Sequence, residues 1–361
     1  MIEPFELTSP VVVEPKRNYQ AELKNSRSDL ANKMVELRAS RLGPSPDVIL
    51  TARFLIYMGL PARRTKERTI RKSARLANGQ SLIVTFAATE AGIDLPFGSD
   101  INMLHWLVNR AIQSNSAFIS WETAQEYMTW AGLKKGGKTV IEIRERFERI
   151  AAMSVTIQTD NDEDIDTFRM PIVRSSRLPK SVRPGDVKKT VQANDTGTIT
   201  VKKESRPRGL CFDEAFFQDF IAKPAPMLKA LLVLLSDRPQ LQQYIGFLGW
   251  RSYAASSATL IPWSNLKEQV WYTDTNESRM KQRFKEAIQS LRIAWPEIRA
   301  EARKTGLWIA PPIKGVQLIP NLPGPSRQVE PSPDTAIKRL WVTNGERTGL
   351  FSTAEIAGVR S

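Results

Sequence analysis

Eight consecutive residues, Gly132, Leu133, Lys134, Lys135, Gly136, Gly137, Lys138 and Thr139, satisfy the spacing of a phosphate-cradling glycine loop. Such a loop binds a nucleotide when a strand delivers it and a helix follows, so that backbone N–H groups and the helix N-terminus surround phosphate. Here the delivering segment does not read as a strand. Trp121, Ala124, Tyr127, Met128 and Ala131 recur at helical spacing, which makes Gly132 a helix cap. The apolar run ending at Asp237 imitates the acidic magnesium strand of an ATPase, yet it is leucine-rich rather than β-branched. A P-loop ATPase is therefore the least favoured of three readings.

Other chemistry-bearing sets are sparse. Asp160, Asp162, Glu163, Asp164 and Asp166 cluster as a calcium loop would, but Ile165 stands where that loop needs glycine and Pro171 where it needs glutamate. A hairpin tip accounts for them better. The chain has one histidine, His105, and one cysteine, Cys211. That excludes disulfide frameworks, zinc modules and histidine-pair nicking chemistry. His105 lies between Leu104 and Trp106 in an apolar helical pattern, and Cys211 lies in a short strand-like run, so both read as structural. No catalytic set, no metal site and no cofactor are expected, and the chain is read as a non-enzyme.

What remains is a basic helix that occurs twice. In residues 101–158 and again in 241–310, an apolar helical stretch leads to an isoleucine, a spacer and a tryptophan: Ile119-Ser120-Trp121, then Ile261-Pro262-Trp263. A turn and a basic helix built on Arg146-Phe147 or Arg283-Phe284 follow, then a short apolar strand. Such internal similarity fixes architecture better than local propensity does. A helix, a tight turn and an exposed basic helix also suit the major groove of DNA.

In the first copy Val140, Ile143, Phe147, Ile150 and Ala151 share the buried face. Lys138, Glu142, Arg146 and Arg149 are then expected outward, with Thr139 and Glu142 as a capping box at the helix start. In the second copy Met280, Phe284, Ala287 and Leu291 are buried. The expected DNA contacts are Lys134, Lys135, Lys138, Thr139, Arg146 and Arg149, then Asn276, Ser278, Arg279, Lys281, Gln282, Lys285, Gln289 and Arg292. Arginine matches guanine and glutamine matches adenine, while lysines mostly neutralise phosphate. Two such units would reach successive major grooves, about 34 Å apart.

Bulk composition agrees. Lysine and arginine number 52 against 38 acidic residues, a formal charge of +14, so a polyanion is the expected partner. No apolar run is long enough for a membrane span, and no signal peptide is read at the N-terminus.

The expected fold is α+β and helix-rich: two tandem winged-helix domains, a flexible N-terminal arm and a C-terminal tail. Residues 1–45 read as the arm. Residues 46–213 read as the first domain, with a helix over 48–60, an Asn78-Gly79 hairpin ahead of the unit and a long wing insertion over 160–208. The second domain takes residues 214–319, and a proline-rich linker and tail take 320–361.

Several short runs, in order, resemble the RepA-type plasmid replication initiators. These are Arg53-Phe54-Leu55-Ile56 with Gly59-Leu60-Pro61, Leu95-Pro96-Phe97-Gly98, Gly136-Gly137-Lys138-Thr139, and Phe212-Asp213-Glu214-Ala215-Phe216-Phe217. The resemblance covers residues 50–315. It implies a cytoplasmic bacterial protein with tandem winged helices that binds origin repeats in duplex DNA, helps open the origin and recruits the host helicase and polymerase machinery. It further implies repression of the protein's own promoter, often as a homodimer, and recognition helices starting at Thr139 and Glu277. A winged-helix transcriptional repressor without a replication role is the alternative.

Overall fold

The computed structural model describes residues 19–44, 46–75, 81–121, 123–160, 165–177, 209–222, 224–255, 257–270 and 276–312. Among these the chain opens with helix α1 (Tyr19–Leu42), strand β1 (Val48–Thr51), short helix α2 (Arg53–Met58) and the antiparallel strands β2 (Thr69–Arg75) and β3 (Ser81–Ala88). Helix α3 (Asp100–Ser114) leads to β4 (Phe118–Ser120), α4 (Gln125–Trp130) and α5 (Gly137–Ala151). Strands β5 (Met153–Asp160), β6 (Ile165–Pro171), β7 (Val173–Arg177) and β8 (Gly209–Phe212) follow. Helix α6 (Glu214–Ala222), β9 (Ala225–Leu228) and α7 (Lys229–Leu234) connect to the last third of the fold. That part runs α8 (Pro239–Ala254), β10 (Thr259–Pro262), α9 (Trp263–Gln269), α10 (Glu277–Ala294), β11 (Ala300–Ala302) and β12 (Gly306–Ile309). The fold is α+β and helix-rich.

Two stretches share one topology. In α3-β4-α4-α5-β7-β8 and in α8-β10-α9-α10-β11-β12, a helix, a strand and two helices precede two strands. The sheets are ordered β4-β8-β7 and β10-β12-β11, so the last strand lies in the middle each time. Even the register repeats: Ile119 faces Leu210 and Ser120 faces Gly209, just as Ile261 faces Leu307 and Pro262 faces Gly306. A Cβ on Gly209 would overlap the carbonyl oxygen of Ile119, and one on Gly306 would overlap that of Ile261. Only glycine permits that backbone approach. Gly306→Ala is expected to cost about 1–3 kcal/mol through forced backbone displacement. Gly137→Ala, where a Cβ meets nothing, should be neutral or stabilising; chemical denaturation of both variants compares them.

Helix α3 is the hub, buried on nearly every side in its first three turns, as a helix apolar all round must be. Its four buried polar side chains, Asp100, Asn102, His105 and Asn109, each satisfy another element, as buried polar groups must. Asn102 Nδ2 donates to Leu232 O (3.1 Å) and its Oδ1 accepts from Gln242 Nε2 of α8 (2.8 Å). Asn109 Oδ1 accepts the Leu50 N–H (2.9 Å). His105 Nδ1 lies 2.6 Å from Thr51 Oγ1, and burial pushes its pKa down to about 3. The imidazole is a neutral core group.

The structure departs from the sequence expectation in four places. Residues 48–51 form a strand rather than the start of a helix, because β9, far along the chain, pairs with them. The helix within the expected arm spans 24 residues and docks through Met34 and Leu37, both fully buried, while Arg41 Nη1 donates to Ala294 O at the end of α10 (3.3 Å). The short apolar strand expected after α5 is present as Met153–Asp160 but lies outside the unit's own sheet: β5 pairs with β3 and β6, giving a sheet ordered β2-β3-β5-β6. The first unit's own sheet resumes only at β7, so residues 153–171 are a hairpin spliced into the unit. Finally α5 begins at Gly137 after Gly136, with the Val140 N–H donating to Gly136 O (3.1 Å); Thr139 lies inside the first turn and is not the cap. The Asn78-Gly79 turn, the acidic tip at 161–164, residues 178–208 and the linker and tail at 320–361 lie outside the described residues.

Candidate nucleic-acid interface

Each third helix is seated by one phenylalanine in an aromatic cradle. Phe147 of α5 stacks on Trp121 (centroids 4.4 Å apart, planes at 10°) and meets Trp106 of α3 edge-on at 6.4 Å. Phe284 of α10 stacks on Tyr244 of α8 (4.4 Å, 20°), with Phe247 edge-on at 6.4 Å and Trp263 at 5.9 Å. In both units the ring is clasped by the first helix and by the tryptophan that follows the first strand. Offset-stacked and edge-on pairs add to the burial energy of such rings. Trp263 also donates its Nε1–H to Arg303 O (3.0 Å), so one side chain seats α10 and fixes the turn between β11 and β12.

The two seated helices present different outer faces. On α10, Ser278, Arg279, Gln282, Arg283, Lys285, Gln289 and Arg292 are exposed. Lys281 is half-buried, paired with Glu277 (2.6 Å) and 5.8 Å over the Trp263 ring. Asn276 caps the helix, its Oδ1 accepting the Arg279 N–H (3.2 Å), which fixes where the first turn begins. Gln282 Nε2 donates to Glu286 (3.2 Å), and Arg292 Nη2 to Ala300 O (3.2 Å). The result is a cationic strip from Arg279 to Arg292, about 20 Å long at 1.5 Å per residue.

On α5 the expected outward arginines turn inward. Arg149 Nε and Nη2 donate to Asp100 Oδ2 and Oδ1 (2.6 and 3.1 Å), with the guanidinium 4.7 Å over the Phe97 ring. Arg146 Nε lies 3.7 Å from Asp100 Oδ1. Asp100 is 2% exposed, and a buried carboxylate must be paired. That demand draws both arginines off the surface and corrects the expectation that they point outward. Superposing Phe147 on Phe284 sets Ile141, Glu142 and Glu145 where α10 has Ser278, Arg279 and Gln282. Cations on this side are Lys134 and Lys135 in the preceding turn, with Lys138 in the first turn of α5, all exposed; Thr139 is half-buried.

The glycine-loop match is resolved by the same geometry. Helix α4 precedes it, and Gly132 (φ +65) ends that helix with Leu133 N–H donating to Met128 O (2.8 Å) and Gly132 N–H to Thr129 O (3.3 Å). These are the paired bonds of a helix C-cap. Among the described residues, no group of three or more His, Cys, Asp or Glu side chains forms a metal-binding cluster, and no helix is long and apolar enough to cross a membrane.

One set of residues escaped the sequence reading. Arg299 and Arg303 flank the Trp308 ring at 5.9 and 4.5 Å, and Lys304 is exposed at the β11–β12 turn, closed by Arg303 N–H donating to Gly306 O (2.9 Å). The signal was available in the shared Gly-Leu pair of Gly209-Leu210 and Gly306-Leu307, which marks the returning strand and places the basic residues before it at a hairpin tip.

Solved structures similar to this chain include two of RctB. Domains 2 and 3 of RctB align over 69% of this chain and 92% of that one, at 12% identity and a TM-score of 0.41. A selenomethionine form of the same two domains aligns over 71% and 95%, at 11% identity and 0.43. No protein-family model matches the sequence, and no curated protein matches it.

Proposed function

We propose that this chain is a non-enzymatic plasmid replication initiator. It binds repeated duplex sequences at an origin through two winged-helix units, promotes opening there, recruits the host helicase and polymerase machinery and represses its own promoter, in the bacterial cytoplasm. The observation that carries the DNA reading is the repeated unit whose second copy turns a cationic helix, α10, to solvent. The initiator role rests on the sequence resemblance.

The two units then divide the work. Helix α10 is the principal reader, with Arg279 and Gln282 suited to guanine and adenine edges and Lys281, Lys285 and Arg292 to phosphate. The β11–β12 turn, with Arg303 and Lys304, is the wing beside it. The first unit contributes Lys134, Lys135 and Lys138 to phosphate, while Ile141 and Glu142 offer an apolar contact for thymine methyl and an acceptor for cytosine N4–H. Arg146 and Arg149 hold the unit together instead.

A plasmid carrying this gene with its flanking repeats should replicate, fail when the gene is disrupted, and fail or fall steeply in copy number with Arg279→Ala plus Lys285→Ala. Plasmid maintenance in a host measures this. Persistence of the disrupted plasmid would contradict the initiator role.

A further inference from the structure

We propose that residues 63–71 form a second phosphate-binding surface, a preformed loop with the first residues of β2, that grips the sugar-phosphate backbone of duplex DNA outside the two reading helices. The proposal rests on the DNA-binding reading above and extends it to residues that neither motif nor topology assigns.

The segment Arg63-Arg64-Thr65-Lys66-Glu67-Arg68-Thr69-Ile70-Arg71 holds five cations and one carboxylate. Arg63, Arg64, Lys66, Arg68 and Arg71 are all exposed, the Arg64 side chain at 74%. Among the described residues Arg63, Lys66 and Arg71 have no side-chain partner. Like charges this close repel, and a free loop would relax by spreading them.

This segment is restrained at its entry, through two of its arginines, and at its end by the pairing of β2 with β3. The Lys72 amine, buried and pushed down to about 7 by that burial, donates to Met58 O and Gly59 O. Gln243 Nε2 of α8 donates to Leu60 O (2.6 Å), and the Gly98 N–H to Pro61 O (2.8 Å). Arg64 Nε is held by Asp94 Oδ2 (2.7 Å), and the Glu67 N–H by Thr65 Oγ1 (3.1 Å). Arg68 Nη2 donates to Ala88 O (2.9 Å) and to Glu90 O. Holding in place the backbone that carries these cations lowers the ordering cost that a mobile loop would incur on meeting its ligand.

Placement and composition name the ligand. The strand that continues the segment, β2, packs against α9 of the second unit, with Ser73 Oγ donating to Glu268. These cations therefore belong to the side of the fold that carries α10, where phosphates flanking its groove would pass. Its exposed side chains include no large apolar group: Ile70 is buried and the rest are charged or small. The core of a protein interface would require apolar contact, and a lipid surface would hold a cation cluster without an apolar anchor only weakly; a phosphodiester chain requires only charge and hydrogen-bond donors.

The test uses the full chain and two duplexes, one selected from a random library for tight binding and one scrambled, with affinity measured across salt concentrations. Arg63→Ala, Lys66→Ala and Arg71→Ala combined should lower the slope of log affinity against log salt by about 2 to 3, at about 0.9 for each phosphate no longer neutralised. Affinity at moderate salt should fall roughly tenfold or more on both duplexes alike. Arg63→Lys with Arg71→Lys should keep the slope, which separates missing charge from misfolding. An unchanged slope in the alanine variant, while Arg279→Ala still loses discrimination, would overturn the loop proposal and leave the reading helix standing. Absence of duplex binding by the parent chain would remove both.

Discussion

Phe284→Ala should lower the stability of the second unit by about 3–5 kcal/mol, and Phe147→Ala should cost the first unit a similar amount. Each ring is buried, Phe284 completely and Phe147 to 4% exposure, and each is stacked at 4.4 Å on one aromatic partner. Truncation removes the transfer energy of the ring and leaves a cavity that Trp121 or Trp263 cannot close without releasing the strand it follows. Urea denaturation followed by tryptophan fluorescence reads the loss, since a tryptophan borders each cavity. A cost below 1 kcal/mol at either site would mean that the cradle does not seat that helix. DNA affinity should fall with Phe284→Ala although the ring never meets DNA, because α10 and the β11–β12 turn both hang on Trp263 beside it.

Asp100→Ala should be as damaging by another route. Its carboxylate accepts from Arg149 twice and from the Phe97 N–H (3.1 Å), with Arg146 within 3.7 Å. The arginine side chains are only 14% and 17% exposed. Breaking a buried ion pair from one side costs about 3–5 kcal/mol; Arg149 is left with only the longer ion-pair contact to Glu145 (3.9 Å) until it swings out to water. A second readout separates this from general damage. Arg146 and Arg149, released, would reach solvent on α5 and raise affinity for scrambled duplex, an effect that Asp100→Ala with Arg146→Ala and Arg149→Ala should abolish. A variant as stable as the parent would show that the cluster is dispensable.

The features legible in the sequence were those with a short period. The spacing of Met280, Phe284, Ala287 and Leu291 marks the buried stripe of α10, and the two Ile-x-Trp runs mark where the third helices are clasped. Pairing at long range was not legible. Val48–Thr51 reads as helix because nothing nearby announces β9 as its partner, and β5 reads as part of the first unit because its true neighbour, β3, lies before the unit begins. Helix α1 carries only a thin apolar stripe, Met34 and Leu37 with Arg41 lying flat, which is too little to mark a docked helix. For Arg146 and Arg149 the period was right and the direction wrong: their outward look ended at a carboxylate 46 and 49 residues earlier. Periodicity assigns faces, but it does not say which charge a face will pull inward.

The most direct measurement is the equilibrium affinity of the full chain and of Arg279→Ala for a selected duplex and for its scrambled counterpart at one fixed salt concentration. If α10 reads base edges, the variant should lose about 1–3 kcal/mol on the selected duplex and almost nothing on the scrambled one. Equal loss on both would reduce Arg279 to a phosphate contact, and no loss on either would place the DNA surface somewhere other than α10.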